Sequence, residues 1–294
     1  MSTISISPLT RFRQYLSLIK FSHTIFALPF ALIGFTLGVM HTHAFAWPLL
    51  VKMLLCMVFA RSAAMSFNRY LDRNFDALNP RTAKREVPAG IIKPTQALTF
   101  TIISTVLFIA TTWFINPLCF YLSFVAAFVI LFYSYTKRIT ALCHLVLGVG
   151  LSLSPIGAYI AVTNRFDIVP VLFSFSVLTW VSGFDIIYAL QDEEFDRSNK
   201  LHSIPAALGV RNALRVSTLL HVCSGLIIIA AGIAGHGLFS WVYWIGAAFY
   251  ISMLIYQHLL VKPNDLSKVG IAFANTNGIA SVVFAAFTIL SLLI

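Results

Sequence analysis

The sequence predicts an all-α integral membrane protein, a bundle of nine transmembrane helices carrying two aspartate-rich motifs on its cytoplasmic face. Three observations lead there. Of 294 residues, 59% are hydrophobic and only 10% charged, against about 25% charged in an ordinary soluble domain. Apolar runs close to the ~20 residues needed to cross a bilayer recur along the whole length. The few acidic residues are gathered into two short stretches.

The runs fall at roughly 22–41, 46–67, 96–115, 117–136, 141–162, 168–190, 212–233, 239–260 and 269–293. Nothing is left over for a soluble domain, so residues 1–294 are expected to form a single polytopic unit. Arg11, Arg13 and Lys20 lead into the first run without a clear small-residue cleavage site, which reads as a retained helix and not a signal peptide. Residues 7–20 are expected to form a short interfacial helix before it.

The net charge of +10 is a topology signal. Of 20 Lys and Arg, 17 lie in the N-terminal tail and in the connections 69–93, 137–138, 197–215 and 262–268. These are alternate connections. The intervening ones hold only Arg165, while Lys52 and Arg61 lie inside the second run. The positive-inside rule then puts the N-terminus and the basic loops in the cytoplasm, and nine spans put the C-terminus outside. Such a distribution speaks for a multi-pass protein in contact with the lipid bilayer and against a nucleic-acid partner. Cys56, Cys119, Cys143 and Cys223 are scattered through apolar runs with no paired spacing, which excludes a zinc or disulfide framework.

Eight of the ten acidic residues lie within 72–86 and 185–196, at the cytoplasmic ends of the second and sixth runs. Asp72 and Asp76 are four apart, as are Asp192 and Asp196, a spacing that aligns two carboxylates on one helix face. Asn68 and Asp185 extend the two stripes one to two turns deeper. The second pair follows the first by 120 residues, and each is followed by basic residues and a Pro-Ala pair, Pro88-Ala89 and Pro205-Ala206. This has the look of an internal repeat of a four-helix unit. Glu193 and Glu194 point off the stripe.

Carboxylates at this spacing repel each other, and clustered acids at a membrane usually mark a functional site. Mg²⁺ relieves the repulsion, because it binds hard oxygen ligands through one or two carboxylates and substrate phosphates. Two facing Asp pairs therefore suit a metal-bound diphosphate. Arg73, Arg81, Lys84, Arg85, Lys137, Arg138, Arg197 and Lys200 supply cations on the same face. A third cluster, Tyr133-Ser-Tyr135-Thr-Lys137-Arg138, closes the fourth run. Tyr and Lys/Arg at an interface are ordinary membrane anchors, but beside the acidic motifs Lys137 and Arg138 suit a departing diphosphate.

In Asn68-x-x-x-Asp72-x-x-x-Asp76, Tyr133-x-x-x-Lys137 and Asp192-x-x-x-Asp196, taken in that order, the chain resembles the UbiA superfamily of intramembrane aromatic prenyltransferases. The resemblance covers essentially the whole length. Around Asp185-Ile-Ile-Tyr188-Ala-Leu-Gln191-Asp192 it is to the 4-hydroxybenzoate polyprenyltransferase branch. The continuation through Glu193, Glu194, Phe195 and Asp196 to His202-Ser203-Ile-Pro205 is more like enzymes of menaquinone synthesis by the futalosine route, some of which prenylate 1,4-dihydroxy-6-naphthoate.

The resemblance implies Mg²⁺ held by Asn68, Asp72, Asp76, Asp192 and Asp196, drawing charge from a polyprenyl diphosphate. It implies that Lys137, Arg138, Arg81, Arg85 and Lys200 face the diphosphate, that Tyr133 and Tyr188 offer aromatic faces to the allylic cation, and that an aromatic acid such as 4-hydroxybenzoate attacks it, in ubiquinone biosynthesis. Asp185 is expected to orient the acceptor or take a proton. Arg61 either binds the acceptor carboxylate or pairs with Asp185, and His23 is a weaker candidate. A cation transporter should carry its polar residues through the membrane midplane, and an alcohol phosphotransferase should carry one longer acidic motif; this chain does neither.

Overall fold

The computed structural model describes residues 7–294 except 21–23 and 25; His23 lies outside the described residues. The chain runs through α1 (Pro8–Leu18), α2 (Leu28–Thr42), α3 (Trp47–Leu78), α4 (Pro94–Trp113), α5 (Pro117–Thr136), α6 (Cys143–Thr163), α7 (Ile168–Ala189), α8 (Glu193–Ser198), α9 (Ile204–Ala234), α10 (Val242–Leu260) and α11 (Asn277–Leu293). A 3₁₀ turn, Leu190–Asp192, joins α7 to α8, and a π-helical turn, Ile271–Thr276, leads into α11.

Helix starts follow local chemistry. Pro stands in the first turn of α2, α3, α4, α5 and α9, where its missing N–H is not needed. Asn116, Asp167 and Ser203 each accept a first-turn N–H of the helix they precede. Every predicted apolar run coincides with a helix, and the expected interfacial segment is α1. Seven of the described helical stretches are long and apolar enough to cross a membrane, as a multi-pass protein requires; α2 and α10 are not among them. Two boundaries differ from the hydropathy reading. Helix α3 runs eleven residues beyond its apolar run to Leu78, because the stripe of polar residues continues on its buried face. Helix α9 begins at Ile204 and breaks at Gly209, whose φ of 74° and ψ of 164° interrupt the helical path, a conformation that glycine tolerates.

Helix α7 is the axis of the bundle, packed between α6 and α9. Its Phe173, Val177, Trp180, Val181 and Phe184 join Phe30, Tyr250 and Phe284 in a continuous aromatic core. Trp180 Nε1 donates to Asn277 Oδ1 at 2.8 Å, and Asn277 Nδ2 donates back to the carbonyls of Ala272 and Phe273, so the π turn is closed by a side chain that also grips α7. Backbone groups in lipid must be satisfied internally. Pro155, inside α6, has no N–H for Leu151 O, and the neighbouring Ser154 hydroxyl donates there at 2.8 Å.

Helices α2 and α6 meet almost backbone to backbone. A Cβ at Gly34 would sit 2.0 Å from the Pro155 carbonyl oxygen. Gly34→Ala is therefore expected to force the helices apart at about 1–3 kcal/mol, read as a drop of several degrees in the thermal midpoint of the detergent-purified protein. An unchanged midpoint would contradict this packing.

Candidate active site

The four motif aspartates come together with four cations, each carboxylate paired with one of them. From α3, Asp72 Oδ1 accepts from Arg138 at 2.8 Å and its Oδ2 accepts from Asn68 Nδ2 at 2.8 Å. One turn on, Asp76 Oδ1 accepts from Arg85 at 2.7 Å. From the second motif, Asp192 is gripped by both arms of the Arg81 guanidinium, Nε at 2.9 Å from Oδ1 and Nη2 at Oδ2. Asp196 Oδ1 lies 2.7 Å from Lys137 Nζ, and its Oδ2 accepts from Ser203 Oγ at 2.9 Å.

Local folding places each cation. The segment after α3 turns back at once. Asn79 caps the helix, its Oδ1 takes Arg81 N at 3.0 Å, its Nδ2 donates to Asp192 Oδ1 at 2.9 Å, and Thr82 Oγ1 donates to Asp76 O. Arg81 is thereby aimed across at the second motif. Its Nη1 also donates to Tyr188 Oη at 2.8 Å, and its guanidinium lies 5.0 Å from the Tyr188 ring, which stacks on Phe273 at 4.2 Å. Arg138, just past α5, donates to Leu71 O and Ser134 O as well as to Asp72. Lys137 O accepts His202 N at 2.7 Å. Burial disfavours the Lys137 ammonium, but the charge and hydrogen bond of Asp196 outweigh it and hold the amine above its usual value.

One expectation needs correcting. Asp192 and Asp196 do not share a continuous α-helical face. Helix α7 ends at Ala189, Asp192 closes the 3₁₀ turn, and Asp196 belongs to α8. The break rotates Asp192 toward Arg81 and buries Asp196 completely. Lys200 and Lys84 are exposed, and among the described residues neither side chain reaches a carboxylate. Arg73 turns back onto Tyr70 O, and Arg197 pairs with Glu193. Glu194 is exposed, as expected, whereas Glu193 is half-buried by its pair.

Deeper in the bundle, Arg61 donates to Lys20 O at 3.1 Å and does not pair with Asp185. Asp185 Oδ2 lies 2.7 Å from His144 Nδ1. An apolar cavity of about 340 Å³ opens among α3, α4, α5 and α6. Arg61 and Tyr133 line it near the aspartates, one to two turns before Lys137 and Asn68 along their helices, and Ile115 and Phe166 line its far end.

Sequence reasoning missed Asn79, His144 and Ser203. The Ser203-Ile204-Pro205 string is a helix-start signature, Ser at the cap and Pro in the first turn, and was legible. Asn79 and His144 act through long-range partners that no local pattern announces.

The donor set suits a hard cation, being all oxygen, and Asp76 Oδ2 is buried with no hydrogen-bond partner among the described residues. Among those residues no three His, Cys, Asp or Glu side chains converge as a metal cluster; each motif carboxylate is held by a cation instead.

Residues 27–289 match the family described as the UbiA prenyltransferase family. The chain belongs to that family. It is 33% identical over 240 residues, covering 81% of each protein, to 4-hydroxybenzoate octaprenyltransferase of Aeromonas salmonicida. Its fold matches a UbiA homolog from Aeropyrum pernix K1 at TM-score 0.81 and 29% identity, over 91% of this chain and 97% of that one. It also matches a UbiA homolog from Archaeoglobus fulgidus bound to GPP and Mg²⁺ at TM-score 0.75, over 96% of this chain and 100% of that one; at 19% identity this likeness speaks to fold alone. Family and relatives bear out the expected class, an aromatic prenyltransferase.

Removing one partner of a buried ion pair leaves an uncompensated charge, at about 3–5 kcal/mol. Lys137→Met should therefore lower the thermal midpoint more than the double variant Lys137→Met/Asp196→Leu. Equal losses in the two would show that the pair carries no mutual compensation.

Proposed function

We propose that the protein transfers a polyprenyl group from polyprenyl diphosphate to the ring of an aromatic acid such as 4-hydroxybenzoate, with Mg²⁺, in quinone biosynthesis at the bacterial cytoplasmic membrane. The observation that supports this best is the closed set of four Asp–cation pairs beside an apolar cavity. Charged chemistry and a hydrocarbon-lined space lie within two helical turns of each other. The 4-hydroxybenzoate acceptor follows the named relatives. The reading takes all nine apolar helices as spans, with the N-terminus and the aspartates cytoplasmic. A shift of 120 residues carries α3 onto 167–198, one residue from the apolar helical stretch Ile168–Ser198, which favours a duplicated four-helix unit.

Asn68, Asp72, Asp76, Asp192 and Asp196 would hold the metal, and when bound Mg²⁺ supplies positive charge to the diphosphate as it departs. Arg81, Arg85, Lys137 and Arg138 then exchange carboxylate oxygens for phosphate oxygens, a stronger anion for the same donors. The isoprenoid chain lies in the apolar cavity, where its burial contributes about 25 cal/mol per Å². Tyr133 and Tyr188 present ring faces near the allylic carbon. As the C1–O bond breaks, the ring of the acceptor bonds to that carbon and the ring proton leaves to restore aromaticity. Arg61, a half-buried cation whose Nε is buried without a hydrogen-bond partner among the described residues, faces the acceptor's carboxylate.

The purified protein, given a polyprenyl diphosphate, Mg²⁺ and 4-hydroxybenzoate, is expected to yield the C-prenylated acid by mass spectrometry. Asp72→Ala or Asp192→Ala should cut turnover by about a thousandfold, the scale of losing a preorganised electrostatic group, while the protein stays folded in the membrane. Product from 1,4-dihydroxy-6-naphthoate alone would move the acceptor to menaquinone synthesis. No product with either acceptor would overturn the function.

A further inference from the structure

We infer that His144 is a positioning residue for the acceptor. Its imidazole locks the Asp185 carboxylate so that Oδ1 is presented to the hydroxyl of the aromatic acid. The inference rests on the prenyl-transfer reading above.

Both imidazole nitrogens are committed. Ile204 N–H, a first-turn donor of α9 with no intrahelical acceptor, donates to His144 Nε2 at 3.3 Å. Nε2 is therefore the bare nitrogen and Nδ1 carries the proton, which it donates to Asp185 Oδ2 at 2.7 Å. A His held this way has a fixed tautomer and a fixed ring orientation. The ring is buried, 3% exposed, while the Asp185 side chain remains 23% exposed. Among the described residues Oδ1 accepts no hydrogen bond.

The open oxygen lies on the site-facing side of α7. Asp185 and Tyr188 occupy positions i and i+3 of α7, one face of the helix, and Tyr188 Oη accepts from Arg81, which also grips Asp192 in the 3₁₀ turn beyond the helix end. Asp185 is thus one turn deeper than the Tyr188 ring, on the side of it away from the diphosphate end. That is where an acceptor ring must sit to meet the allylic carbon from the side away from the leaving group. An unanchored carboxylate at this depth would swing among rotamers; with Oδ2 tied to His144, Oδ1 has one direction.

The same ring joins the acceptor side to the metal side. Ile204 follows Ser203, whose hydroxyl holds Asp196, and His202 N holds Lys137 O. Three helices, α6, α7 and α9, meet at His144.

The full chain in lipid nanodiscs would be assayed with geranyl diphosphate, Mg²⁺ and 4-hydroxybenzoate (or the dihydroxynaphthoate, whichever is turned over). His144→Leu removes the donor to Asp185; His144→Asn keeps an N–H near the Nδ1 position but abandons Ile204. The expected result is an acceptor KM raised about tenfold in His144→Leu, the scale of one lost hydrogen bond. The donor KM should stay within twofold, and His144→Asn should recover most of the loss. Binding of inorganic diphosphate with Mg²⁺ should be equal in wild type and His144→Leu. An unchanged acceptor KM, an equal rise in both KM values, a His144→Asn variant as impaired as His144→Leu, or lost diphosphate binding would each overturn the positioning role. A wild-type protein that turns over neither acceptor would instead overturn the functional reading beneath it.

Discussion

Negative charge taken out of water must be neutralised by the protein itself, and the rest of this structure is arranged around that requirement. Four aspartates stand near the end of α3, in the 3₁₀ turn after α7 and in α8, where burial makes an unpaired carboxylate expensive. Each is matched by a cation on a neighbouring segment: Asp72 by Arg138, Asp76 by Arg85, Asp192 by Arg81 and Asp196 by Lys137. Two of the pairs, Arg81–Asp192 and Lys137–Asp196, join the first half of the chain to the second. On the proposed reading, the same contacts that hold these segments together are the ones an incoming magnesium diphosphate would exchange.

The apolar body keeps those ends in place. A dense aromatic core around Trp180 and Phe30 fixes α7, and buried hydroxyls and amides close gaps in the backbone hydrogen bonding, as Ser154 does at Pro155 and Asn277 at the π turn. The first half is packed less tightly. Helix α3 leans on α4, and the space left among α3, α4, α5 and α6 is the cavity. Tight packing on one side and an opening on the other put a hydrocarbon-lined space directly under the charged cluster.

Much of this was legible in the sequence. Hydropathy located each of the long apolar helices, though not the short polar α8, because a chain in lipid has few ways to satisfy its backbone, and the scarcity of acids made their clustering conspicuous. That Arg81, Arg85, Lys137 and Arg138 share a face with the aspartates was legible in their positions; that each pairs with one of the carboxylates was not. What escaped were contacts between segments far apart in sequence. The 3₁₀ turn at Leu190–Asp192 interrupts an apparent helical spacing, since Asp192 gains two hydrogen-bonding partners, Asn79 and Arg81, that lie over a hundred residues away. His144 sits in an apolar run with nothing local to mark it, and its meaning comes only from Asp185 and Ile204. Lys200 looked equivalent to the other cations by position, yet its turn carries it outward.

The central claim is that the two aspartate motifs together, loaded with a divalent cation, make one diphosphate site. Calorimetric titration of inorganic diphosphate into the purified protein, with and without Mg²⁺, tests it without requiring turnover. Binding should need Mg²⁺ and should be lost in both Asp72→Ala and Asp192→Ala, since each motif supplies part of the same site. Equal affinity without the metal, or full affinity in either variant, would contradict it.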